Sequence, residues 1–190
     1  MEFIEQDSGE DARPRLLARS IAKLHRTAPP QHPPSFDVLA HCEDYLAVLS
    51  KHMDQYSKEH QVLHSVLDYF SNDSTPWVFC HNDLVTANCL VQAERMKFID
   101  WEFATLNNPW FDLAALAYYF ELNDKQLDML LRTYWQCEPF RPPIFYAASC
   151  AVIWLDMLWF AHGSPRLALA DQYDKLRALT EASARFYALI

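Results

Sequence analysis

Val78-Phe79-Cys80-His81-Asn82-Asp83-Leu84-Val85-Thr86-Ala87-Asn88-Cys89-Leu90-Val91, followed shortly by Met96-Lys97-Phe98-Ile99-Asp100-Trp101-Glu102, is the stretch whose reading decides the fold. Three short apolar runs, Trp77 to Cys80 at its start, Cys89 to Val91 and Met96 to Ile99, have the composition and length of buried strands. Gln92 to Arg95 is a polar turn between the last two, which predicts a hairpin. Asp83 then lies on a loop leaving a strand, Asn88 at the far end of that loop, and Asp100 at the end of the paired strand. Such a hairpin brings Asn88 and Asp100 near one another across its open end, offering one carboxamide oxygen and one carboxylate. Hard oxygen donors of that kind suit magnesium. Asp83 would face them from the side where an alcohol can enter, as the carboxylate that accepts a hydroxyl proton in phosphoryl transfer from ATP.

Outward from this insert the apolar spacing is helical. Asp11 can cap a helix carrying Leu16, Leu17, Ile21 and Leu24, which should stop before Pro29-Pro30 and Pro33-Pro34. Leu39, Tyr45, Leu46 and Leu49 mark a second helix, and Val62, Leu63, Val66, Leu67 and Phe70 a third. Beyond the insert, helices are predicted over Phe111–Glu121, Asp124–Trp135, Pro143–His162 and from Pro165 to the end, with Asn123 as a cap and Gly163 as a terminator. Met1 to Glu5 reads as an edge strand or an extended linker.

Composition narrows the function. The chain has 190 residues, of which 51% are apolar and 14% aromatic, enough to fill a core and to exclude global disorder. Gly9 and Gly163 are its two glycines, so no glycine-rich phosphate loop is present in the sequence. A net charge of −9 repels a phosphate backbone, so no nucleic acid is expected as partner, and it suits a cationic small molecule. Five cysteines without a C-x-x-C pair, and an acidic rather than signal-like N-terminus, read as reduced thiols in a cytoplasmic protein. The most apolar stretch, Ile144 to Phe160, is interrupted by Asp156 and reads as a buried helix rather than a membrane span; no membrane partner is expected.

The H-x-D-L-x-x-x-N order with a later metal-binding Asp is that of protein kinases, with Asn82 in place of the usual arginine and Asp100-Trp101-Glu102 in place of D-F-G. The missing arginine argues against regulation through a phosphorylated loop and against a protein substrate. At this level the chain resembles the aminoglycoside phosphotransferase and choline kinase superfamily. The Val78–Val91 and Ile99–Ala104 runs carry the likeness, and Asn107-Asn108-Pro109-Trp110-Phe111-Asp112-Leu113-Ala114 continues it. Ile-Asp-Trp-Glu followed by an aromatic is most similar to the choline, ethanolamine and thiamine kinases. Met1 to Glu5 is similar to the hinge between lobes, and Leu24-His25 to a pair in the helix after it.

The resemblance implies an α+β, predominantly helical fold: a protein-kinase-like C-terminal lobe over residues 1–190, with the catalytic loop and metal-binding hairpin at 77–103. It implies Asp83 as catalytic base, Asn88 and Asp100 as Mg2+ ligands, His81 as a brace of the loop, and Asp112 as the group that holds the loop's backbone. Glu102, Trp101, Tyr119, Asp156 and Trp159 are candidates for a substrate pocket, since aromatic faces and carboxylates bind ammonium groups. Asp156, inside an apolar helix, is either paired structurally or aimed at a cationic substrate, and the pocket is preferred. For His81 the structural role is preferred; a His81, Asp83 and Asp100 metal-hydrolase site lacks a second histidine at ligand spacing. His60 and His64 share a helix face and read as a solvated pair.

Kinases of this kind also need an N-terminal lobe with a phosphate-covering loop and a strand lysine. No segment of this sequence supplies them, so the expectation is a truncated chain, a poor or inactive kinase alone, with an exposed lobe interface open to self-association. The other reading is a one-lobed remnant serving as a binding module for a small molecule or protein.

Overall fold

A computed structural model describes residues 12–31, 33, 36–49, 54–92, 95–164 and 169–190. Met1 to Glu5, Asp11 and Pro165, which figured in the expectations above, lie outside the described residues. The chain forms two compact units, one from Met1–Ser35 with Thr75–Phe140, the other from Phe36–Ser74 with Arg141–Ile190.

The first unit holds α1 (Ala12–His25), β1 (Val78–Cys80), β2 (Cys89–Gln92), β3 (Arg95–Phe98), β4 (Thr105–Asn107), α4 (Pro109–Tyr119) and α5 (Asp124–Trp135). Leu17, Ala18, Ile21 and Leu24 make the buried stripe of α1, which packs on α4, α5, β1 and β3. The strands form two antiparallel pairs. β2 and β3 are the predicted hairpin, with Cys89 opposite Phe98 and Gln92 opposite Arg95, but its strands are not buried as expected: Leu90, Val91 and Ile99 are exposed. β1 pairs instead with β4, Cys80 opposite Thr105 and Val78 opposite Asn107. The sequence reading assigned no strand to Thr105–Asn107. This second pairing fixes where β1 delivers the loop that follows it.

Local capping explains the helix starts. Asn108 accepts the Trp110 N–H and Pro109 occupies the first helical position, so α4 begins two residues before the predicted Phe111. Asn123 and Gln126 form a reciprocal capping box at the start of α5, worth about 1 kcal/mol. Residues Pro109 to Leu116 of α4 are buried throughout, which makes α4 the central rod of this unit.

The second unit holds α2 (Val38–Val48), α3 (Asp54–Ser71), α6 (Pro143–Gly163) and α7 (Tyr173–Tyr187). A short 3-10 turn over Leu169–Gln172 starts the last predicted helix late. α6 is the core helix, packed by α2, α3 and α7. It has 21 residues and is long and apolar enough to cross a membrane, contrary to the shorter span expected, yet two thirds of its apolar window is buried inside the protein. Gly163 is its last residue and does not adopt a positive φ. Tyr56, Leu63, Val66, Leu67 and Phe70 bury one face of α3, while Val62, counted in the apolar pattern, lies on the solvent side. The expectation for His60 and His64 needs correction: His60 is buried and its Nδ1 accepts the Trp154 Nε1–H at 3.2 Å, whereas His64 is exposed.

Candidate active site

Cys80 ends β1, and the chain turns sharply at Asn82, whose φ of 64° lies in the left-handed region. Asparagine tolerates that region better than most residues, at a cost of roughly 1 kcal/mol that surrounding contacts must offset. Two side-chain bonds do so. Asn82 Nδ2 donates to the Phe103 carbonyl at 2.9 Å, and its Oδ1 accepts from Asn107 Nδ2 at 2.8 Å. β4 therefore grips the turn as well as pairing with β1.

Beneath the turn sits Asp112, in the first turn of α4 and wholly buried. Its Oδ2 accepts the His81 backbone N–H at 2.8 Å, and its Oδ1 accepts the Asn82 N–H at 2.9 Å. Oδ2 also accepts from His25 Nε2 of α1 at 3.0 Å. Three donors and the N-terminal end of a helix dipole compensate the burial of this carboxylate.

After Asp83 the chain makes a 3-10 turn over Thr86–Asn88 and enters β2. Asn88 is buried, and its Nδ2 donates to the Asp83 carbonyl at 3.0 Å and to Asp83 Oδ2 at 2.8 Å. On the opposite strand the Ile99 N–H donates to the Asn88 carbonyl at 3.0 Å, so the ladder extends one rung past Cys89 and Phe98. Asp100 follows with a φ of 62°, turning out of the ladder where the hairpin opens. His81 ties the two chains together: its Nε2 donates to the Ile99 carbonyl at 2.9 Å, and its Nδ1 is buried with no hydrogen-bond partner among the described residues. The Trp101 ring covers His81 with centroids 4.7 Å apart and lies parallel to Phe79.

The electrostatics agree with this convergence. The Asp83 carboxyl is held above the ordinary carboxylate value, chiefly by burial, and the negative charges of Asp100 and Glu102 push the same way. His81 and the Asn88 hydrogen bond oppose the shift. His81, Asp83, Asn88, Asp100, Trp101, Glu102 and Asp112 are thus parts of one neighbourhood in the first unit. Tyr119 ends α4 and packs edge-on against Tyr118. Asp156 and Trp159 belong to the second unit. There Asp156 Oδ2 pairs with Lys175 Nζ at 2.7 Å, which is the structural pairing named above as one of its two readings. Trp159 is 57% exposed and packs edge-on against Phe160.

Sequence reasoning gave Asn107, Asn108 and His25 no role and missed Tyr134. The Asn-Asn-Pro run before an apolar helix was the available signal for the first two. A carboxamide oxygen at Asn88 and a carboxylate at Asp100 are donors of the kind a divalent cation takes. Asn88 commits its Nδ2 to Asp83, which leaves its Oδ1 as a hard oxygen donor.

Comparison with known proteins follows the same lines. A 55-residue stretch is 49% identical to Protein LicA of Haemophilus influenzae (strain Rd), covering 29% of this chain and 21% of that protein. A choline/ethanolamine kinase family protein from Mesorhizobium loti superposes with a TM-score of 0.65 at 26% identity, over 94% of this chain and 61% of that one. The choline kinase LicA from Streptococcus pneumoniae shares the fold, with a TM-score of 0.73 at 19% identity, over 98% of this chain and 69% of that one. The chain thus spans about three fifths of the Mesorhizobium loti protein. With residues 2–142 matching its pattern, the site geometry and the comparisons reach one conclusion: the chain belongs to the phosphotransferase enzyme family.

Proposed function

We propose that this chain carries the catalytic loop of an ATP-dependent phosphotransferase acting on the hydroxyl of a small cationic alcohol of the choline, ethanolamine, thiamine or aminoglycoside kind. The observation that carries the reading is the Asn88 bond to Asp83 Oδ2 at 2.8 Å, in a neighbourhood where Asp100 and Glu102 act on the same carboxyl. The names of the LicA and choline/ethanolamine kinase relatives support the alcohol class, and the acidic chain suits a cation. Asp83 would orient the alcohol and take its proton through the oxygen that Asn88 does not engage. Asn88 and Asp100 would hold magnesium, which when bound offsets charge on the phosphoryl group being transferred. Asp112 and His81 fix the loop so that Asp83 is positioned before substrate arrives. Transfer by this chain alone is expected to be weak, because phosphoryl transfer depends on contacts to the triphosphate that no segment here resembles.

The test is transfer of phosphate from ATP to choline, ethanolamine and thiamine in the presence of magnesium. Asp83→Asn should lower the measured turnover at least roughly 100-fold. Unchanged turnover removes Asp83 from the role. The same variant should be more stable, by about 2 °C in Tm, because the folded state raises the Asp83 pKa and so disfavours its ionised form. That penalty acts above the raised value and disappears as pH falls below the ordinary 3.8. A variant that loses activity and stability together would have failed by unfolding.

A further inference from the structure

We infer that Tyr134 is a positioning residue for the loop that carries Asp83, acting through His25 and Asp112; the word positioning rests on the reading of that loop as catalytic. The three side chains come from three helices. His25 ends α1, Asp112 begins α4, and Tyr134 lies in the last turn of α5. The Tyr134 hydroxyl is 2.7 Å from His25 Nδ1, with the two rings edge-on at 5.6 Å. His25 Nε2 is 3.0 Å from Asp112 Oδ2, and Asp112 holds the His81 and Asn82 amides at 2.8 and 2.9 Å.

The Asp112 end of this chain of bonds has a fixed polarity. A carboxylate oxygen only accepts, so the proton of the bond to Asp112 sits on His25 Nε2. Burial, with the nearby Cys80 and Asp112, pushes the Tyr134 hydroxyl well above its ordinary value, against the opposing charge of Arg26, so it keeps its proton to donate. Donation from that hydroxyl to Nδ1 selects the Nε2–H tautomer of His25. With the other tautomer a ring lone pair would face the Asp112 carboxylate and push it from the loop amides. His25, Cys80 and Asp112 also place potential metal-ligand atoms within 4.8 Å of one another. Burial holds the Cys80 thiol protonated, however, and both Asp112 oxygens are already engaged, so the donor relay is the use these groups have.

The experiment is NMR on the chain with 15N-labelled histidine, together with amide hydrogen exchange. In the wild type, His25 should show a single Nε2–H tautomer. Tyr134→Phe, which removes one oxygen, should mix the tautomers or charge the ring. It should also speed exchange at His81 and Asn82 about tenfold relative to Leu113 and Leu116 of α4. In a His25→Gln background the glutamine amide can reach Asp112 without help from Tyr134, so adding Tyr134→Phe should change the loop exchange less than about twofold. The inference is overturned if Tyr134→Phe leaves the tautomer unmoved, leaves the two amides in step with Leu113 and Leu116, or acts equally in the His25→Gln background. None of these readouts uses ATP, so turnover left unchanged by Asp83→Asn would sink the proposed function without deciding the relay, and a failed relay would leave the function standing.

Discussion

Both units bury polar side chains, but they do so for different ends. In the second unit the buried groups pair across helices: His60 with Trp154 between α3 and α6, Gln172 with Tyr56 and the Met157 carbonyl, and Asp156 with Lys175 between α6 and α7. Each pair joins regular elements that apolar packing already holds. In the first unit the buried groups serve irregular backbone. Asp112 and Asn107 hold a turn at Asn82 that has left-handed φ, and His81 reaches the Ile99 carbonyl just before a second such residue, Asp100. Polar atoms that bind helices together are replaceable by apolar ones of similar shape. Those that satisfy backbone amides in a loop are not, because the amides remain when the side chain is removed.

That contrast can be broken by mutation. The largest effect is expected for Asp112→Ala, which strands two backbone amides and His25; about 3–5 kcal/mol should be lost in urea unfolding, enough to unfold a marginal domain. Lys175→Met leaves the Asp156 carboxylate buried beside the Phe160 ring and should cost about 2 kcal/mol. Adding Asp156→Leu should restore most of that loss, whereas no apolar partner change should rescue Asp112→Ala. Equal rescue in both units would erase the distinction. Next, Asn82→Ala forfeits two hydrogen bonds and keeps the backbone strain, so it should be less stable than Asn82→Gly by about 1 kcal/mol in thermal unfolding.

The smallest effect concerns His60, whose pKa is lowered by burial first and by the charge of His64 second. Its Nδ1 accepts from Trp154, so the folded state favours the neutral ring. As pH falls below 6.5, the unfolded chain takes up the proton first and stability declines, levelling off once the folded ring titrates. His60→Phe should flatten this decline, as read by tryptophan fluorescence in urea on either side of pH 6.5. A decline that persists in the variant would have to arise from groups outside the second unit's helix pairing.

The hairpin, α5 to the residue, and α6 to within one residue were legible because their signals are local: strand composition around a polar turn, a capping box, an apolar run opened by proline. The candidate site was legible as residue types at a spacing. Its supports were less so. Thr105–Asn107 was missed as a strand because its partners lie 25 to 29 residues away and three residues carry no period of their own. The roles of Asn107, His25 and Tyr134 were missed for the same reason, since the residues they touch lie 25, 87 and 109 positions away in the chain.

The order of residues by itself determined which groups could do chemistry here, since a carboxylate, a carboxamide and a second carboxylate on a strand–loop–hairpin are set by local backbone preference and side-chain type. The tertiary structure alone decided how that loop is held. Buried amides at His81 and Asn82 must find acceptors, and only the packing of α1, α4 and α5 brings Asp112, His25 and Tyr134 to where those acceptors and their supporting donors are needed.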